Sequence, residues 1–148
     1  MRLLILAWKI WQGALPTFSN LRAHHLRCDV GCAFCGFEDD IVDHVFLMCD
    51  FARAVWFGLS VSVRSCNMRF HNIQRWFRFW ISMWKKRRML NYEDWLIMLV
   101  GLDVIWKLQN DRIRRNTMVS LFSLFIKLIA QLNIEIHLIV RLTIFVCL

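Results

Sequence analysis

A chain of 148 residues is long enough to bury a core without disulfide staples, and three of its six cysteines, Cys28, Cys66 and Cys147, are scattered without regular spacing, which excludes a disulfide framework. At 58% hydrophobic residues, with eight tryptophans and twelve phenylalanines, it carries more apolar material than one domain of this size hides easily. That calls for a protein partner, a membrane surface, or membership of something larger. The net charge of +8 favours anionic partners, and the cysteine usage suits a reducing compartment, nuclear or cytoplasmic.

Residues 2–13 place Leu3, Leu4, Ala7, Trp8, Ile10 and Trp11 at spacings of three and four, one apolar face of a helix that Gly13 should stop. The apolar run of this helix is too short for a secretory signal, because Lys9 interrupts it. Pro16 enforces a turn, after which Thr17 or Ser19 can cap a second short helix over residues 20–26, which carries Arg22, His24 and His25. Adjacent histidines on a helix diverge by about 100 degrees and cannot share an ion, so both are read as exposed.

Next comes the only spacing that carries chemistry by itself: Cys32, Cys35, His44 and Cys49, or Cys-x2-Cys-x8-His-x4-Cys. Two residues between thiolates let both sulfurs turn back onto one ion, and the four donors suit a closed tetrahedral Zn²⁺ with no open position for water. Gly31 and Gly36 flank the pair where the backbone must bend. Cys28 could replace a ligand but reads better as a spare thiol. The acidic run Glu38, Asp39, Asp40 and Asp43 reads as a solvated loop, with Asp43 able to orient a histidine ligand.

Asp50 stands as the cap of a helix over residues 51–59, where Phe51, Val55 and Leu59 repeat every four residues. Residues 60–67 have no helical period and read as a loop. From Asn72 a strong pattern puts Ile73, Trp76, Phe77, Trp80, Ile81 and Trp84 on one face, with Arg75, Arg78 and Ser82 elsewhere. The pattern ends in Lys85, Lys86, Arg87 and Arg88, cations that complement a helix dipole. Asn91 then caps a further long helix that buries Trp95, Met98, Leu99, Leu102, Ile105 and Trp106. These tryptophans are expected in the core rather than on a base-stacking platform. The apolar tail contains Lys127, Glu135, His137 and Arg141, which leave no uncharged run of the ~20 residues a membrane span needs.

Three stretches together resemble the zinc-binding domain that lies downstream of the polymerase in plant LINE-type (non-LTR) retrotransposon reverse transcriptases. They are Cys32-Ala33-Phe34-Cys35-Gly36, Asp43-His44-Val45-Phe46-Leu47-Met48-Cys49, and Phe51-Ala52-Arg53-Ala54-Val55-Trp56. Upstream, Trp8-Lys9, Leu15-Pro16-Thr17 and Asn20-Leu21 resemble the family's entry segment. Downstream, Ile105-Trp106-Lys107 with Asn110 resembles its closing motif. His24, Ile41 and Gln109 depart from the family's usual Arg, Ser or Thr, and Arg, and none of the three is a metal ligand.

The resemblance implies a mainly α-helical fold built around a Cys-Cys-His-Cys knuckle. Its domain would span residues 1–111, with the knuckle at 28–59 and a helical part at 72–110, followed by an apolar helical tail at 112–148. It also implies a fragment: the chain opens inside what would be a family helix and carries no polymerase or nuclease module. No enzyme activity is expected, and the zinc would be structural. Arg22, Arg27, Arg53, Lys85, Lys86, Arg87 and Arg88 are the candidate contacts to RNA or DNA phosphates. A protein-interaction role for the apolar surface, or association with an anionic membrane, are the alternatives.

Overall fold

The computed structural model describes residues 1–25, 31–36, 40–58, 70–85 and 92–115. Expectations for Cys28, Arg27, Glu38, Asp39, the 60–67 loop, residues 86–88, the Asn91 cap and the 117–148 tail lie outside them. Five α-helices are present among the described residues: α1 (Arg2–Trp11), α2 (Phe18–Ala23), α3 (Asp50–Gly58), α4 (Ile73–Lys85) and α5 (Tyr92–Arg115). One π-helical turn, His44–Met48, precedes α3, and the described residues contain no strand. None of these helices is long and apolar enough to cross a membrane.

Helix α1 ends as its glycine demands. Gly13 takes φ +63°, its N–H donates to Ile10 C=O at 3.0 Å, and Ala14 N–H donates to Lys9 C=O at 2.9 Å. These two bonds satisfy the last carbonyls of the helix. The buried face matches the expected one only in part. Ile10 is inside as expected and Leu6 joins it, Leu3, Ala7 and Trp11 are half-buried, and Leu4 and Trp8, expected inside, are 58% and 59% exposed. Because nearly every α1 position is apolar, spacing alone does not set the phase, and packing against α4 and α5 does.

The turn into α2 is held by side chains. Thr17 Oγ1 accepts from Asn20 N–H at 3.3 Å, while Asn20 Nδ2 donates to Gly13 C=O and Leu15 C=O, each at 2.7 Å. Thr17 is thus the cap, and α2 starts two residues before the expected 20–26 helix and ends at Ala23. His25 adopts φ +60° just beyond.

Helix α5 is the element on which α1, α3 and the π-helical turn pack. Every residue from 96 to 105 is buried. Leu96, Ile97, Val100 and Val104 therefore join the expected Met98, Leu99, Leu102 and Ile105, whereas Trp95 and Trp106 are only half-buried. A helix surrounded on several sides needs apolar residues all round, so the single-face reading was too narrow. Asp103 is buried in this run and pairs with Arg2 Nη2 at 3.1 Å and Lys107 Nζ at 2.6 Å.

Trp76 and Trp80 of α4 lie in the core, as their spacing predicts. Trp76 is the hub: its ring centroid is 5.3 Å from Trp56, 5.8 Å from Trp80 and 5.3 Å from Phe77, all tilted or edge-on. Ile73, Phe77 and Trp80 are also buried, and Arg75, Arg78 and Ser82 are exposed. Asn72 Oδ1 caps the helix by accepting from Arg75 N–H at 3.1 Å.

Candidate metal centre

The loop around Cys32 and Cys35 closes on itself. Gly36 N–H donates to Cys32 C=O at 2.8 Å. The flanking glycines adopt φ +143° at Gly31 and +69° at Gly36, which side chains with a Cβ rarely take. Phe34, between the two cysteines, stacks on Phe51 of α3 at a centroid distance of 3.9 Å and an interplanar angle of 8°. The Arg112 guanidinium lies 5.0 Å over the other partner of that stack, the Phe34 ring. Aromatic contacts thus fix the loop against α3 and α5.

The second half of the site depends on the π-helical turn. Cys49 lies five positions after His44, and in an α-helix that is about 500 degrees of rotation, leaving the two side chains about 140 degrees apart. Here Cys49 N–H donates to His44 C=O at 2.8 Å, an i→i+5 bond that widens the turn so the two residues come round to the same side. Cys49 then becomes extended, with ψ 134°, and its C=O accepts from Arg53 N–H at 2.9 Å. Cys49, not Asp50, therefore holds the cap position, and Asp50 is the first helical residue with its carboxylate 3.5 Å from Arg53.

These two local devices bring one donor each from Cys32, Cys35, His44 and Cys49 within 4.8 Å of one another. Cys32, His44 and Cys49 are buried, and Cys35 is half-buried. Cys32 Sγ and Cys49 Sγ are 3.6 Å apart, and Cys35 Sγ and His44 Nε2 are 3.2 Å apart. A sulfur–sulfur edge of about 3.8 Å is what a tetrahedral ion with metal–sulfur bonds of ~2.3 Å requires, so the spacing fits a metal. It is far too long for a disulfide, and none of the three cysteines is in one.

Protonation points the same way. The bond with Cys49, foremost, and backbone hydrogen bonds from Cys35 and Phe34 hold the Cys32 thiol well below its ordinary value in spite of burial. The same bond, burial and the Cys32 charge push the Cys49 thiol up. One proton leaves readily and the second stays until a cation arrives to offset two adjacent thiolates.

The acidic run is not a solvated loop where it is described. Asp40 is 1% exposed, its Oδ2 accepts from Phe18 N–H at 2.9 Å, and its Oδ1 accepts from Gln109 Nε2 at 2.9 Å. Burial raises its carboxyl above the ordinary range, against the lowering effect of these bonds. Asp43 Oδ1 accepts from Ile73 N–H at 2.7 Å and so serves the start of α4. Gln109, 1% exposed, also places Nε2 4.0 Å from Cys32 Sγ. Spacing gave no notice of Asp40 or Gln109, since 69 residues separate the pair; the one signal was that Gln109 sits within the closing motif.

The basic candidates stand on separate elements. Arg22 on α2, Arg53 on α3 and Lys85 at the end of α4 are all exposed, as are His24 and His25, while Arg27, Lys86, Arg87 and Arg88 lie outside the described residues. Residues 1–56 match the family model described as zinc-binding in reverse transcriptase, a span that includes all four candidate ligands. No curated protein and no solved structure matches the chain.

Proposed function

We propose that this chain is a zinc-stabilised module, derived from a LINE-type reverse transcriptase, that binds single-stranded RNA or DNA through backbone phosphates and has no polymerase activity of its own. The observation that carries the metal part is the convergence of Cys32, Cys35, His44 and Cys49 within 4.8 Å. These residues would hold Zn²⁺ as a closed structural centre, and the ion would supply the positive charge that lets neighbouring thiolates coexist. The chain's own part is to present cations. Arg22 precedes the knuckle, Arg53 follows the last ligand, and Lys85, the last residue of α4, is the first of four consecutive cations in the sequence. With a net charge of +8, such groups favour sequence-tolerant contact with phosphates.

The test is affinity for an unstructured oligonucleotide across a salt series, with metal content measured on the same preparation. One Zn²⁺ per chain is expected, lost in Cys35→Ser, together with binding that weakens steeply as salt rises. Replacing the four residues 85–88 by Gln should flatten the salt slope by up to about three units, at ~0.7 per phosphate contact. No binding at low salt would remove the nucleic-acid reading. A protein-interaction role would then stand in its place, supported by the exposure of Leu4, Ile5 and Trp8 on α1 and of Phe57, 71% exposed, on α3. Binding to anionic vesicles would instead favour the membrane alternative.

A further inference from the structure

The side-chain amide of Gln109 has two hydrogens, and both have an acceptor. Nε2 lies 2.9 Å from Asp40 Oδ1 and 4.0 Å from Cys32 Sγ. Neither a carboxylate nor a thiolate can donate, so the amide nitrogen, not its oxygen, faces them. Asp40 is itself fixed from the far side by Phe18 N–H at 2.9 Å. A chain of bonds thus runs from the start of α2 through Asp40 and Gln109 to a candidate metal ligand. Gln109 belongs to α5, the helix on which the π-helical turn, α3 and α1 pack. A glutamine 1% exposed in a largely apolar helix core is costly unless its donors are used, and here their use depends on what Cys32 is doing.

We infer that Gln109 is a positioning residue of the metal centre, through which metal occupancy sets the seating of α5. The inference rests on the reading of the quartet as a Zn²⁺ site. When Cys32 is a metal-bound thiolate, it is a fixed acceptor for the second amide hydrogen. When the metal leaves, that sulfur is no longer held in place by an ion, and the C-terminal half of α5 loses one of its fixed polar anchors. Hydrogen-bonded partners of ligands tune metal affinity by about tenfold to a hundredfold.

The experiment uses the full chain. Zn²⁺ affinity is measured by competition with a chromophoric chelator, and the Co²⁺ form is examined by absorption. Gln109→Leu keeps the volume and removes both donors. The expected result is Zn²⁺ binding weakened about tenfold to a hundredfold and a displaced thiolate-to-Co²⁺ charge-transfer band, both largely restored in Gln109→Arg, which keeps N–H donors in reach. In the wild type, chelation should raise amide exchange around residues 105–110. If Gln109→Leu folds and matches the wild type in affinity and spectrum, the inference is overturned. If that variant does not fold, the wild-type exchange decides, and unchanged protection of 105–110 after metal removal overturns it as well. A wild-type chain that takes up no Zn²⁺ would sink the site reading itself, an outcome distinct from a metal site indifferent to Gln109.

Discussion

At the scale of single residues, the same side-chain type has opposite worth in different places. Trp56 Nε1 donates to Phe46 C=O at 2.7 Å, whereas the buried Nε1–H groups of Trp76 and Trp80 have no hydrogen-bond acceptor among the described residues. Trp56→Phe should therefore lose a buried bond and strand a carbonyl, adding about 1–3 kcal/mol to the cost of lost volume. Trp80→Phe removes a donor that was never paired and should be the milder change. Denaturant midpoints of the two variants, measured with Zn²⁺ present, check the order. Asp40 poses a similar contrast. Its carboxyl is raised, mainly by burial, so its contribution to stability is present below the unfolded value and is lost as pH rises through the folded one. Asp40→Asn, neutral throughout, should accordingly gain on the wild type as pH rises through the carboxylate range, offset by the one acceptor oxygen it gives up, since Asp40 accepts from both Phe18 N–H and Gln109 Nε2. Asp40→Ala leaves the Phe18 and Gln109 donors without an acceptor and should cost about 1–3 kcal/mol. Equal stability of the Asn and Ala variants would contradict this. The quartet was legible because its information is local: three short spacings and two glycines. Asp40 and Gln109 were not, because a carboxylate in an acidic run looks solvated until the fold buries it.

At the scale of elements, the strongly amphipathic segments were readable and the uniformly apolar ones were not. In α4, cations and tryptophans alternate with helical period, and the predicted core residues Ile73, Trp76, Phe77 and Trp80 are the buried ones. Helix α1 has Leu, Ile, Ala and Trp on nearly every side, so its sequence showed the helix and its glycine stop but its inward face only in part: Ile10 is buried as expected and Trp8 is not. The π-helical turn left no trace in periodicity either, since five residues are too few to distinguish a widened turn from an α-helical one. The corrected α1 face can be checked directly. Ile10 is 0% exposed and Trp8 is 59% exposed, so Ile10→Ala should cost about 2–5 kcal/mol. Trp8→Ala should stay within about 0.5 kcal/mol in the isolated chain. Calorimetry or denaturant unfolding of both checks the order, and a costlier Trp8→Ala would put Trp8 inside with Ile10, as the spacing predicts. If Trp8 meets a protein partner, its loss shows in binding instead.

At the scale of the whole molecule, an ion in the candidate metal centre would act as a staple between segments that are distant in the chain. The knuckle loop supplies two ligands, the π-helical turn and the mouth of α3 supply two more, and α5 approaches from behind through Gln109. An ion that binds the folded chain and not the unfolded one stabilises it by mass action, so once the site is saturated each tenfold rise in free Zn²⁺ should add up to about 1.4 kcal/mol. The unfolding temperature should climb steadily with buffered Zn²⁺, and the climb should vanish in Cys35→Ser. The dependence on pH follows from the thiols. Cys49 is held protonated by its neighbour and by burial, so binding must expel at least that proton, and the Zn²⁺-dependent gain grows as pH rises toward the ordinary thiol range. At fixed free Zn²⁺, one displaced proton makes the affinity rise about tenfold per pH unit, again about 1.4 kcal/mol. Scans at pH 6, 7 and 8 with buffered metal measure that slope. If the gain were the same at all three, the thiols would already be ionised before the ion arrives, and the unequal sharing of a proton between Cys32 and Cys49 could not describe the metal-free site.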